Sequence, residues 1–154
     1  MLRRTLGICL ACWLLIPPTA VMAGPHDFGL GMILGEPSGI SGKLWLSRTT
    51  AFDGAVAWSA AGDDELHLQG DFVWHDFGLI GVDRGALPVY YGVGGRLRLD
   101  EGRDRIGVRV PVGLAYIFED GRFDLFMEVA PILDLAPRTD VEAAAGFGVR
   151  FFFP

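Results

Sequence analysis

Hydrophobic and non-hydrophobic positions alternate along most of the chain with a period of two, the spacing of a β-strand whose two faces meet different surroundings. The second half shows this most cleanly. One phase reads Leu87, Val89, Tyr91, Val93, Leu97 and Leu99, then every second residue from Ile106 to Phe118. It continues through Phe123, Leu125, Met127, Val129, Leu133 and Leu135, then Val141, Ala143, Ala145, Phe147, Val149, Phe151 and Phe153, and contains no charge. The opposite phase holds glycine and every charged strand residue. Turn chemistry separates the segments at Asp100-Glu101-Gly102-Arg103-Asp104, Glu119-Asp120-Gly121-Arg122 and Ala136-Pro137-Arg138-Thr139, and an Asp-Gly pair after an aromatic strand is a hairpin signal. The first half reads the same way with more noise. It gives strands over Phe28 to Leu34, Ile40 to Leu46, Thr50 to Trp58 and Leu66 to about Ile80, with turns at Gly35 to Gly39, Ser47 to Thr49 and Ala60 to Asp64. Eight strands in up-and-down order predict an all-β, antiparallel, eight-stranded closed barrel.

Ahead of these strands, Leu2, Arg3 and Arg4 form a basic start and Leu6 to Ile16 an apolar run too short to cross a bilayer as a helix. Pro17 and Pro18 break it, and Val21-Met22-Ala23 supplies small residues for cleavage after Ala23. Residues 1–23 are therefore expected to be a signal peptide and 24–154 the barrel domain. A lipid anchor on Cys12 would want a branched apolar residue three positions earlier, where Cys9 stands. Both cysteines fall in the segment expected to be removed, so neither disulfide nor thiol chemistry is expected of the barrel.

Alternation leaves open which phase faces inward, because a soluble lipocalin-like barrel also alternates. Three features favour charges inside and apolar side chains facing lipid. An eight-stranded barrel is only just wide enough for side chains to fill, and the phase of Tyr, Phe, Met and Leu is too bulky for it. The charged phase is rich in Gly and Arg rather than Lys, Ser or Gln, as packing in a narrow interior requires. Its signs also balance: Lys43, Arg96, Arg98, Arg105, Arg109 and Arg150 against Asp53, Asp71, Asp124, Glu128, Asp134 and Glu142, the composition of an interior ion-pair network, since a buried charge without a partner is very costly. Finally, the aromatics of the apolar phase gather at the end where the chain enters: Phe28, Phe52, Trp74, Tyr91, Tyr116, Phe118, Phe123, Phe151 and Phe153, with little beyond Trp58 at the other. Such girdles mark outer-membrane barrels at the membrane–water interface and make this end periplasmic.

Composition narrows the function classes. Half of the residues are hydrophobic (51%) with 22 glycines, yet no second apolar segment approaches the length of a membrane helix. The 13 basic residues less Arg3 and Arg4 leave 11 against 19 acidic ones, a net charge of −8, and no basic patch offers itself to nucleic acid. His75 and Asp76 are adjacent and so point to opposite faces, His26 is isolated, and Gly92, Gly94 and Gly95 read as strand glycines rather than a nucleotide loop. No metal, cofactor or catalytic set emerges. The acidic loop residues Glu36, Asp63, Asp64, Glu65, Asp100, Glu101, Asp104 and Asp140 read as solvated turns.

The stretches Gly29 to Lys43, Trp74-His75-Asp76-Phe77 and Tyr90 to Arg96 resemble those of the small OmpX/OmpA-like outer-membrane barrels, and more closely a family of bacterial outer-membrane barrels of unknown function. The resemblance covers nearly all of the barrel segment. It implies residence in the outer membrane, lipid as the surrounding partner, and insertion by the barrel-assembly machinery, which reads a final strand ending in an aromatic. Phe147, Val149, Phe151 and Phe153 supply that pattern, while Pro154 displaces the aromatic to the penultimate position.

A filled barrel is not a pore, so the expected function is structural or loop-displaying, as a monomer. One alternative is a soluble periplasmic barrel holding a small apolar ligand. Another is a lipid hydrolase in which Ser59 and His67 face each other across the Ala60 to Asp64 turn as nucleophile and base. Three features strain the pattern. Pro111 and Pro131 lie mid-strand and predict bulges. Trp45 falls in the polar phase beside Lys43. The stretch from His75 to Gly85 is long for a turn and predicts that the fourth and fifth strands run on as a projecting hairpin.

Overall fold

A computed structural model describes residues 27–36, 38–58 and 65–154; the expected signal peptide and Ser59 lie outside them. The described residues form nine strands: β1 (Phe28–Glu36), β2 (Gly39–Trp45), β3 (Thr50–Trp58), β4 (Leu66–Asp76), β5 (Val89–Leu99), β6 (Arg105–Arg109), β7 (Val112–Ile117), β8 (Phe123–Ala136) and β9 (Asp140–Phe152). All pairings are antiparallel; they join sequential neighbours except where β6 and β7 lie end to end between β5 and β8, and β1 pairs with β9 from Gly29↔Phe152 to Glu36↔Ala145. Every strand thus has a partner on both sides, and the ladder returns to its start. Closure of this kind removes the unpaired edges that invite aggregation.

Nine strands make eight staves, because β6 and β7 continue one another. Their registers against β5 (Gly94↔Arg109, Tyr91↔Val112) and against β8 (Arg109↔Ile132, Val112↔Val129) are unbroken across the gap. The interruption lies at Val110-Pro111 and is caused by the missing proline N–H. Here the sequence expectation of a bulge is corrected to a two-residue break in the ladder. The Pro111 carbonyl still accepts from Gly92 N at 3.0 Å, and Val110 N donates to the Pro131 carbonyl at 3.1 Å, so Pro131 stands across from Val110, next to Pro111, and the two prolines share one weak spot. At Pro131 no bulge forms either: β8 runs through it and pairs Pro131↔Ala143. The irregularity instead falls at Leu135, where the partner register slips between Ile106↔Ala136 and Gly107↔Asp134.

The projecting hairpin is also corrected. β4 ends at Asp76 and β5 begins at Val89, and the connection between them is irregular, tied back by a single bridge, Ala86↔Ile117. Tyr116 donates its hydroxyl to the Arg84 carbonyl at 3.1 Å. The connection is folded against β7 rather than extended. At the tight turns the sequence chemistry is explicit: Gly102 and Gly121 adopt positive φ of 84° and 67°, and the N–H groups of Arg103 and Gly121 donate to the Asp100 and Phe118 carbonyls.

Side-chain polarity is inverted relative to a water-soluble barrel. Val108, Val110, Leu125, Met127, Phe147 and Val149 are exposed on the outer face. Lys43, Asp71, Arg109, Asp124, Asp134 and Arg150 are almost wholly buried within. The bore accommodates arginines because glycines stand beside them: Arg109 pairs with Gly94, Arg96 with Gly107 and Arg150 with Gly31. A side chain at Gly148 would meet the Phe126 ring at 2.7 Å and also strike the Met32 carbonyl. We predict that Gly148→Leu, which overpacks this wall, costs about 1–3 kcal/mol or more. Urea unfolding of the detergent-folded protein checks this, and unchanged stability would contradict a filled bore.

Candidate functional site: the charged interior and the aromatic belt

Strand periodicity turns one side chain in two toward the axis, and cross-strand register decides which charges meet. All twelve charged residues expected in the interior lie within 4.0 Å of a group of opposite sign. They fall into three tiers along the bore.

Nearest the aromatic end, Arg150 donates from Nε and Nη2 to the two oxygens of Asp124, both at 3.0 Å, and from Nη1 to Asp53 at 2.9 Å. Its guanidinium lies 4.0 Å from the centre of the Phe126 ring, adding a cation–π contact. Lys43 Nζ sits 3.8 Å from Asp53 and donates to His75 Nε2 at 2.7 Å. An ammonium has no lone pair, so Nε2 is the acceptor and the ring proton rests on Nδ1, which faces the Thr49 carbonyl at 3.2 Å. Trp45, the polar-phase tryptophan, closes this end with its ring 4.6 Å from Lys43 Nζ and 4.3 Å from the His75 ring.

In the middle tier Arg109 is paired with Glu128 and stands 3.3 Å from Asp71, while the Tyr90 hydroxyl donates to Glu128 at 2.9 Å. At the loop end, Arg96 donates to Asp134 at 2.7 Å and to Glu142 at 3.0 Å, and Arg105 donates to Glu142 at 3.0 Å. Arg98 pairs with Glu65, whose carboxylate is also 3.4 Å from His67. This tier opens to solvent: the side chains of Arg105 and Glu142 are 38% and 30% exposed, against 1% for Arg150.

Glu65 is thus a correction, an acid that turns inward to an arginine instead of remaining a solvated loop residue. His75, Tyr90 and His67 were not assigned to the network from sequence, although each falls in the inward phase. Asp76, next to His75, is exposed and shares no site with it. Of the proposed hydrolytic pair only His67 lies within the described residues. Its polar neighbour is Glu65, and no group of three or more potential metal ligands converges among the described residues. An interior gap lined by Ile33, Gln69, Arg109, Glu128 and Gly146 measures about 10 Å³, room for about one water molecule. That gap is too small for the apolar ligand of the alternative reading.

Outside, the aromatic residues meet around one rim, mostly edge to face, with Phe28–Phe153 and Trp74–Tyr91 stacked. Tyr116, Phe118, Phe123, Phe151, Phe153 and Phe28 follow one another at centroid distances of 5.0 to 6.5 Å. Phe52, Phe72, Trp74 and Tyr91 form a second arc at 4.7 to 6.2 Å. Phe72 joins this arc although it was not among the residues named from sequence; it shares their outward phase. Leu44, paired with both Phe28 and Phe52, bridges the arcs.

One solved structure shares this arrangement of strands, the crystal structure of the N-terminal β-barrel domain of Pseudomonas aeruginosa OprF. The present chain is similar to it with a TM-score of 0.61 and 16% identity, over 84% of this chain and 99% of that one. The fold is that of the OprF barrel domain. At this identity the likeness is one of fold alone. No family model and no curated protein matches the chain.

The tiers differ in dielectric surroundings, and mutational cost should follow. Arg150→Met strands Asp124 in the bore, leaves Asp53 with Lys43 alone, and is predicted to cost about 3–5 kcal/mol. Arg105→Ala, at the solvated mouth, should cost at most about 1 kcal/mol. Equal losses in urea unfolding would show that depth does not govern the network.

Proposed function

We propose that this chain is a membrane-spanning β-barrel of a bacterial outer membrane that serves as a structural and loop-displaying element, closed to the passage of solutes. The observation that carries the reading is the inverted polarity. A closed sheet with Leu125, Met127, Val129, Phe147 and Val149 on its outside and paired charges inside has an outer face suited to hydrocarbon and unsuited to water. The aromatic rim supports an interface at the end bearing Phe28 and Phe153. Lipid is then the surrounding partner, and the outward run Phe147, Val149, Phe151 and Phe153 of β9 and its end suits delivery by an assembly machinery that recognises an aromatic strand. The packed bore supports the absence of diffusion.

Two measurements test this. Val129→Arg and Phe147→Arg place a charge on the outer face mid-strand and should cost about 2–4 kcal/mol of folding into lipid vesicles, visible as loss of heat-modifiable migration on gels. Wild-type protein in vesicles should pass neither salt nor a small sugar above background. Recovery of the folded chain in a detergent-free extract would overturn the membrane reading, and sugar-permeable vesicles would overturn closure.

A further inference from the structure

At the loop end, the β5–β6 turn and the β8–β9 turn are brought side by side because β6 pairs with β8, down from Ile106↔Ala136. Between them lies a concavity of about 530 Å³ lined by Arg103, Arg105, Asp134, Pro137, Arg138 and Asp140. That volume is in the range of small-molecule sites, about 300–1,000 Å³. Its positive and negative groups are not equally available. Asp134 is fully engaged, both of its oxygens accepting from Arg96 at 2.7 and 2.8 Å. Asp140 accepts from the N–H of Val141 at 2.9 Å. Arg105 donates one amino group to Glu142. The guanidinium groups of Arg103 and Arg138 make neither a hydrogen bond nor an ion pair among the described residues, although both open onto the same concavity. Arg103 is held there by its own turn, with Gly102 at φ 84° and the Arg103 N–H on the Asp100 carbonyl at 3.0 Å.

We propose that this concavity binds a phosphate group carried on a saccharide, either free in solution or as the headgroup of a lipid. Guanidinium groups present flat forks of N–H donors that match phosphate oxygens in pairs. Three of them around one hollow suit a tetrahedral anion with three or more acceptors better than a two-oxygen carboxylate. The hollow is larger than a bare phosphate, which leaves space for the sugar. Exposed acids nearby, Glu101 and Asp104 on the same turn as Arg103, select against anions that cannot reach past them to the arginines.

The test uses the full chain folded in uncharged detergent, titrated by calorimetry with inorganic phosphate, glucose 1,6-bisphosphate and plain glucose. Glucose 1,6-bisphosphate should bind, more tightly than phosphate, and glucose should not. The R103A/R138A double variant should lose about tenfold or more in affinity, since charge-assisted contacts are the strong ones. Arg48→Ala, in the β2–β3 turn at the opposite end, should bind as wild type. Both arginines are exposed, so the variants should keep heat-modifiable migration; if the double variant does not, Arg103→Gln and Arg138→Gln tested singly must each weaken binding. Vesicles of phosphatidylcholine with and without a glycolipid bearing a glucose 6-phosphate headgroup distinguish the sources: enhanced, arginine-dependent binding to the phosphorylated headgroup assigns a lipid, and its absence with retained sugar-phosphate binding assigns a solute. Failure of glucose 1,6-bisphosphate to bind, an unaltered affinity in the double variant, or an equal loss in Arg48→Ala would overturn the proposal, while leaving the vesicle-folding test above untouched.

Discussion

The narrowness of a cylinder built from eight staves governs nearly everything else in this molecule. Its bore admits side chains from all sides but not large ones from every strand, so bulk at one position requires its absence next door. Arginine beside glycine, as at Arg109 and Gly94 or Arg96 and Gly107, is the local solution. The same confinement excludes most water, which removes the usual solvent for charge. Each buried ion must then find its counter-ion in the protein, and the register between strands supplies it: Asp124 stands directly across from Arg150, and Lys43 from Asp53. Steric fit and charge neutrality are met by the same set of residues.

The outer face follows as the complement. Once the polar phase is consumed inside, the alternate positions have only apolar side chains to present, and these form a continuous band broken by an aromatic rim at one end. In this sense the inner salt bridges and the outer hydrocarbon-like surface are one property of a two-residue period. A change that shifted any strand by a single residue would bring Leu125 or Val149 into the bore and turn Asp124 or Arg150 outward, so the fold is specified strongly against slippage.

Much of this could be read from the chain itself, and the reason is physical. A closed sheet with two chemically opposite faces writes its architecture into alternate positions, so the number of staves, their order and the membership of the interior were accessible from Val108, Arg109 and their neighbours. What escaped was set by backbone rather than side-chain pattern. Pro111 breaks the ladder without a bulge because its partner across the gap is the other proline segment, a coincidence of register that no single strand reveals. Leu135 is the extra residue where β8 slips against β6 between Ile106↔Ala136 and Gly107↔Asp134, a feature of the pairing that neither strand's own alternation shows. β4 stops at Asp76 where the alternation gives way to Phe77-Gly78-Leu79-Ile80, whose apolar content imitates a strand. Glu65 lies one residue before its strand, beyond the reach of a periodicity argument, yet close enough in space to hold Arg98. The paired arginines of the loop-end hollow were invisible for a similar reason, since Arg103 and Arg138 are distant in sequence and meet only through the β6–β8 pairing.

The meeting of β1 with β9 bears on the order in which the molecule comes together. Arg150 belongs to the last strand, but the carboxylates it neutralises sit on β3 and β8. Until β9 docks, Asp124 faces a gap instead of a cation and Asp53 has Lys43 alone, while β1 offers a bare row of amides and carbonyls. The final seam therefore completes the hydrogen-bond ring and brings Asp124 its cation in the same step.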